Sequence, residues 1–207
     1  MTAALFTTNG AALLEDLLQR GVSAGASLVE VFAERTDHLG LLAEQDNITS
    51  VNPSFACGAG IRVFRGERDG FVSTNDLSVD GLTRALDQAL AMLGLEMGTR
   101  DAAGAFQGLH SLINHAATKE NWLQRCPSMA EAGDRLKQGT AHLERLGQHL
   151  QVRRGSYSRD WQEVLVAASD GTFARDIRLH QSTGLSVLAA DGDYRASIGR
   201  RYGSTDR

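Results

Sequence analysis

Cys57-Gly-Ala-Gly-Ile-Arg-Val-Phe-Arg-Gly-Glu-Arg-Asp-Gly-Phe-Val-Ser-Thr74 sets β-branched and aromatic residues on either side of a turn-rich centre. Ile61, Val63 and Phe64 mark one strand, and Phe71-Val-Ser-Thr74 marks a second. Gly66-Glu-Arg-Asp-Gly70 joins them, so the stretch predicts an antiparallel hairpin with a loop longer than two residues. Gly58-Ala-Gly60 is not a dinucleotide fingerprint, because there the glycines follow a strand and open a helix. Here they precede a strand, and no GxxxxGK[ST] occurs. Crowded backbone, or a bulge where a side chain would clash, accounts for them.

Downstream, Ser78 is placed to cap a helix whose first turn holds Asp80, favourable against the helix dipole. Leu82, Ala85, Leu86, Ala89, Leu90 and Leu93 give it one apolar face, and each buried leucine contributes roughly 1.5–3 kcal/mol. Upstream, Leu13, Leu14, Leu17 and Leu18 repeat at helical spacing, with Asn9 as N-cap and Gly21 as stop. Leu28–Arg35 reads as a strand. Leu39–Ala43 and Ile48–Val51 read as shorter ones around a turn at Asp46-Asn47, and Asn52-Pro53 predicts a break. Residues 1–95 thus form an N-terminal helix-and-strand block.

Residues 96–127 lose periodicity and read as a connection, with one short helix near Leu109–Ile113. A second block, 128–207, opens on the capping box Ser128-Met-Ala-Glu131. Met129, Leu136, Leu143 and Leu150 recur every seven residues and predict a helix of about six turns. Four strands follow, Glu163–Ala168, Thr172–Gln181, Leu185–Ala190 and Tyr194–Tyr202. Turns at Asp170-Gly171 and Asp191-Gly192 fold them into an antiparallel meander. The predicted class is α+β, two helix-plus-antiparallel-sheet blocks joined by a long connection, the second incomplete.

The chain has 207 residues, 42% hydrophobic and 22% charged. A chain of this size buries roughly 70% of its unfolded surface and needs no staple. No apolar run approaches the roughly 18 residues of a membrane helix, and the N-terminus is not a signal peptide. Two cysteines make no disulfide framework and suit a reducing cytosol. A net charge of −4 argues against a duplex-binding face.

Candidate chemistry is sparse. His110 and His115 are five apart with serine after the first, so the carboxylate that activates a zinc-bound water is missing. They read as two surface histidines. Cys126 precedes a helix start, which could favour a thiolate. Cys57 and Cys126 read better as small buried hydrophobes. Asp160, Asp170, Asp176, Asp191 and Asp193 scatter without a cation-loop spacing, and two belong to turns. Asn47-Ile48-Thr49 spells a glycosylation sequon, irrelevant in the cytosol. No catalytic, cofactor-binding or metal residue is assigned within the chain.

Gly58-Ala-Gly-Ile-Arg-Val-Phe-Arg-Gly-Glu-Arg-Asp-Gly-Phe-Val-Ser-Thr-Asn-Asp-Leu-Ser78 resembles the N-terminal region of the TldD/PmbA family. So do Gly25–Arg35, the Leu82–Leu93 helix and Ala168-Ser-Asp-Gly171 with the strands after it. The resemblance implies a cytoplasmic peptidase, historically labelled a modulator of DNA gyrase. It implies a zinc metalloprotease in one branch, with metal held by an HExxxH helix and a later cysteine. It also implies unfolded-peptide substrates and homodimers, or heterodimers with the metal-free branch. This chain contains no HExxxH, so no metal ligand transfers to it. The expectation is an N-terminal part of such a protein, inactive alone, supplying scaffold, substrate cleft and dimer contacts. No nucleic acid or membrane partner is expected. The alternative is a stand-alone peptide- or protein-binding module without catalysis.

Overall fold

The computed structural model describes residues 4–6, 10–96, 106–115, 124, 126–145, 147 and 149–205. Its helices are α1 (Gly10–Ser23), α2 (Val79–Ala91) and α3 (Met129–Glu144). Its strands are β1 (Leu28–Glu44), β2 (Asn47–Arg65), β3 (Arg68–Thr74), β4 (Ile113–Asn114), β5 (Leu150–Ala168), β6 (Phe173–Asp191) and β7 (Tyr194–Thr205). The fold is α+β. The strand order is β3-β2-β1-β5-β6-β4, and β7 also pairs with β6. β4 is parallel to β6, whereas β2–β3 and β6–β7 are antiparallel. β1 and β5 run antiparallel, since Val29 bonds to Ser169 near one end and Gln45 to Arg153 at the other.

Several strands are longer than the sequence pattern predicts. Leu28–Arg35 and Leu39–Ala43 are one strand, and so are the two predicted strands of β6. β2 passes through Asn52-Pro53 without a break. β3 pairs only with residues 59–65 of β2, so Pro53 lies where β2 has one neighbour among the described residues. Proline's missing N–H costs no ladder bond on such an edge. The β2–β3 loop is also shorter than predicted. Arg65 pairs with Arg68, leaving Gly66-Glu67, and Gly66 takes a φ of +61°. Glycine at the first central position suits a two-residue hairpin turn.

The chain packs as two compact units that interleave along the sequence. One draws on described residues within Met1–Arg35, Cys57–Ala117 and Glu163–Asp176, the other on Thr36–Ala56, Thr118–Gln162 and Ile177–Arg207. The blocks 1–95, 96–127 and 128–207 are consecutive instead. Strands of 17 to 19 residues (β1, β2, β5 and β6) are long enough to give one part to each unit.

In the first unit, Leu14, Leu17 and Leu18 of α1 and Leu82, Leu86 and Leu90 of α2 share a core with Val29, Val31, Ile61 and Val63. Ser78 caps α2 as expected, its Oγ accepting from the Gly81 amide at 3.1 Å. Gly21 does not stop α1. It lies inside the helix, where a Cβ would sit 2.6 Å from Val29 Cγ2. Gly25, with φ 99°, takes the left-handed position beyond the helix instead. The predicted cap Asn9 lies outside the described residues. The predicted helix at Leu109–Ile113 is absent. The segment is extended, and the amides of His110 and His115 donate to the carbonyls of Gly171 and Arg175. Pairing beside β6 satisfies backbone groups that a short helix with one weak apolar face would leave to water.

In the second unit, α3 begins with the capping box: Ser128 Oγ accepts from the Glu131 amide, and Glu131 Oε2 accepts from the Ser128 amide. Ala132 and Leu136 pack on Leu39, Leu41, Ala43 and Tyr157. The helix ends at Glu144 and does not reach Leu150, which opens β5. Gly147 follows with φ 148°. Such a residue cannot continue a right-handed helix.

Candidate functional site

β5 places its odd-numbered side chains on the buried side, and in the first unit that row contains Glu163. Its side chain is fully buried. One carboxylate oxygen accepts from Arg35 Nε on β1, and the other from Arg175 Nε on β6 at 2.5 Å. The Arg35 guanidinium also lies 5.0 Å from the centre of the Phe6 ring. A buried carboxylate is tolerated only when paired and hydrogen-bonded, and here each oxygen has its own cation. The triad ties three neighbouring strands together.

The second unit carries further cross-strand pairs: Arg159 with Asp37, His38 Nδ1 with Asp160 at 2.6 Å, and Arg154 with Glu44 at 2.9 Å. Arg201 of β7 is held differently. Its Nε and Nη2 donate to Ser182 Oγ at 3.0 and 2.7 Å, and Ser182 Oγ meets Ser158 Oγ at 2.8 Å. No carboxylate pairs with Arg195, Arg200 or Arg201 among the described residues. Beside Arg201 lies a depression of about 380 Å³ lined by Ser156, Gly184, Ser186 and Gly199. A Cβ at Gly184 would approach Ser156 Oγ to 2.9 Å, so glycine keeps this floor low. A second groove of about 380 Å³ runs between α3 and the strands, with Leu136, Tyr157, Leu185 and Tyr202 in its wall. In the first unit, Phe32, Gly58, Gly60 and Phe71 line an open groove of about 720 Å³.

The residues weighed from sequence are not brought together. His110 packs its ring against Gly171, and His115 joins the backbone beside β6. Cys57 and Cys126 are half-buried, and neither forms a disulfide. Burial pushes the Cys126 thiol up, only partly countered by Arg159, so this cysteine lacks the depressed pKa of a nucleophile. Gly60 does relieve crowding: a Cβ there would lie 2.8 Å from Phe71 Cε2. Asp160 faces His38, and Asp170 accepts from the Thr172 amide within the turn. That amide holds the Asp170 carboxyl below its ordinary value. Sequence reasoning missed Glu163, Arg35 and Arg175. The available signal was phase, because Glu163 keeps step with Leu165 and Ala167, and Arg35 with Val31 and Ala33, on buried rows.

Two family models match in tandem. That of PmbA/TldA metallopeptidase domain 1 matches residues 29–93, and that of the PmbA/TldA metallopeptidase central domain matches residues 115–206. The chain belongs to the PmbA/TldD family. A metalloprotease TldD homolog from Buchnera aphidicola is 23% identical over 178 residues, covering 86% of this chain and 35% of the relative. One from Haemophilus influenzae is 25% identical over 157 residues, covering 70% and 30%. This PmbA/TldD chain therefore spans about a third of the length of these relatives. TldE from Thermococcus kodakarensis has the same fold, with a TM-score of 0.67 at 16% identity, over 94% of this chain and 43% of that one. A candidate modulator of a DNA gyrase from Thermotoga maritima gives 0.71 at 11%, over 93% and 42%. Among the described residues no group of three or more His, Cys, Asp or Glu could hold a metal ion. The donors described here do not compose a metallopeptidase centre. No helix among them is long and apolar enough to cross a membrane.

Proposed function

We propose that this chain is the scaffold and peptide-recognition part of a TldD-like cytoplasmic peptidase that acts on unfolded polypeptides. Its zinc ion would be held by polypeptide outside these residues, and it would pair with itself or with another family member. The observation that carries the reading is a combination: two tandem metallopeptidase-family domains, with no metal-donor cluster among the described residues. What the described residues offer is long strands and shallow grooves, and strand edges with no neighbour among the described residues. An extended peptide binds such an edge through main-chain hydrogen bonds, and neighbouring pockets sort its side chains.

The test is reconstitution. The chain alone should bind no stoichiometric zinc and leave casein intact. Mixed with, or joined in frame to, the remaining two-thirds of a TldD homolog, it should support chelator-sensitive cleavage of unfolded peptide. Chelator-sensitive cleavage by the chain alone would overturn the division of labour. Failure of the joined protein to cleave, with zinc bound and the fold intact, would favour a non-catalytic binding module.

A further inference from the structure

We infer that the depression beside Arg201 is a binding site for a small carboxylate, with the Arg201 guanidinium as its anchor. The site lies on a face of the second unit, across β5, β6 and β7, and not at a strand edge. It goes beyond the peptide-recognition reading, since it stands on the packing of these strands alone.

Strand register builds the hollow. β6 and β7 pair with Ser182 opposite Gly203, Gly184 opposite Arg201 and Ser186 opposite Gly199. Residues directly opposite, and those two apart along a strand, share a face. Every one of these pairs contains a glycine, so the face stays shallow. Gly184 is what lets Arg201 lie flat: a Cβ there would stand 3.6 Å from Arg201 Cγ and 2.9 Å from Ser156 Oγ. Arg201 thus reaches inward across β6 toward β5, where Nε and Nη2 donate to Ser182 Oγ and Nη2 also to Ser158 Oγ at 3.5 Å. The hollow of about 380 Å³ is at the lower end of the range for ligand pockets.

Charge and hydrogen bonding name the ligand. Arg154 and Glu44 also line the hollow, and they pair with each other at 2.9 Å. Arg200 alternates onto the opposite face, as does its partner Leu185, which packs toward Gly139 of α3. Arg201 is held by neutral hydroxyls, so its charge is oriented without being cancelled, and its Nη1 has no acceptor among the described residues. Ser182 Oγ accepts from two nitrogens of Arg201, so its own proton goes to Ser158 Oγ at 2.8 Å and the Ser158 hydroxyl keeps a proton to donate. The hydroxyls of Ser156 and Ser186, in the lining, have no hydrogen-bond partner among the described residues. One planar, pre-oriented cation beside hydroxyl donors suits a single carboxylate. Glu44 in the same wall disfavours a phosphate dianion. Leu42, 49% exposed, offers the body of the ligand an apolar wall. A free small acid and the C-terminal end of a peptide carry the same group, and the experiment separates them.

The probe is N-acetyl-leucine, titrated by calorimetry into the 207-residue chain. Comparators are N-acetyl-leucinamide, inorganic phosphate and the tripeptide acid acetyl-alanyl-alanyl-leucine. N-acetyl-leucine should bind, less tightly in added salt, and the amide should not. R201Q should weaken binding roughly tenfold. R200Q, which removes the neighbouring charge from the other face, should leave it unchanged. Tighter binding of the tripeptide assigns the site to a peptide end, and equal or weaker binding assigns it to a free acid. No binding of either acid would overturn the site. Amide binding equal to that of the acid, or tighter binding of phosphate, would overturn the carboxylate assignment. Both comparisons use the unmodified chain and so hold even where R201Q does not fold. A loss in R201Q no greater than in R200Q would overturn Arg201 as the anchor. The reconstituted cleavage reaction decides the peptidase reading separately.

Discussion

Removing the Glu163 carboxylate should cost the fold about as much as truncating a buried core side chain. In Glu163→Ala, the Arg35 and Arg175 guanidiniums lose their shared partner. Breaking a buried pair in this way typically costs 3–5 kcal/mol. Both arginines are partly exposed, at 30% and 22%, so each recovers some hydration and about 3 kcal/mol is the appropriate figure. For a chain of this length that lowers Tm by roughly 6–12 °C. The assay is thermal unfolding followed by circular dichroism. Glu163→Gln keeps the shape and one acceptor and should fall less. The discriminating control is the triple change R35L/E163L/R175L, which removes every charge together. Apolar replacement of a whole buried ion group is often neutral or stabilising, so the triple variant should melt well above Glu163→Ala. A loss for Glu163→Ala below about 1 kcal/mol, or a triple variant no better than it, would refute a carboxylate held by its two cations.

Gly70→Ala would bring a Cβ within 2.4 Å of the Ala89 carbonyl of α2 and should destabilise by about 1–3 kcal/mol, read from urea midpoints. Gly66→Ala meets nothing within 4 Å, so its smaller loss should come from its φ of +61° alone. Ser128→Ala removes the α3 cap and should cost about 1 kcal/mol by the same measurement. The Asp170 carboxyl is held below its ordinary value of 3.8 by the Thr172 amide. Its contribution is therefore complete above that value and is lost as pH falls through the lower folded one. Asp170→Asn should flatten the fall in stability between about pH 5 and pH 2. Cys126, pushed up by burial, should alkylate with iodoacetamide more slowly than a free cysteine at neutral pH, and an equal rate would contradict its burial.

Local chemistry was legible in the sequence. Ser78 and the Ser128–Glu131 box depend on partners three residues away, and both form. Asp170-Gly171 and Asp191-Gly192 fall at the β5–β6 and β6–β7 turns. Strand length was less legible, because Pro53 of β2 and Gly184 of β6 look like punctuation. They are tolerated where a strand has a free side or where a neighbour approaches closely, and neither condition is local. The charge triad was hidden for the same reason: Glu163 finds Arg35 at a separation of 128 residues. A buried-phase glutamate announces that it needs a cation without saying which one. The family resemblance reached further than periodicity, since it joined segments that no local pattern links.

In the second unit the two faces of β5 differ sharply in polarity. On β5, the odd row holds Gly155, Tyr157 and Trp161, all buried. The even row holds Arg154, Ser156, Ser158, Asp160 and Gln162, exposed or half-buried. On β6, Ser182 and Ser186 continue the hydroxyl row. Such a face has little to gain from burial under an apolar layer, since each hydroxyl and charge would need a new partner. It is suited to hold Arg201 in place through Ser182 and Ser158. Replacing both serines by alanine should therefore leave the core intact and release that guanidinium. The S158A/S182A variant should therefore keep the Tm of the parent chain in thermal unfolding. A fall in Tm of several degrees would mean that the two serines support the sheet itself and not only the arginine.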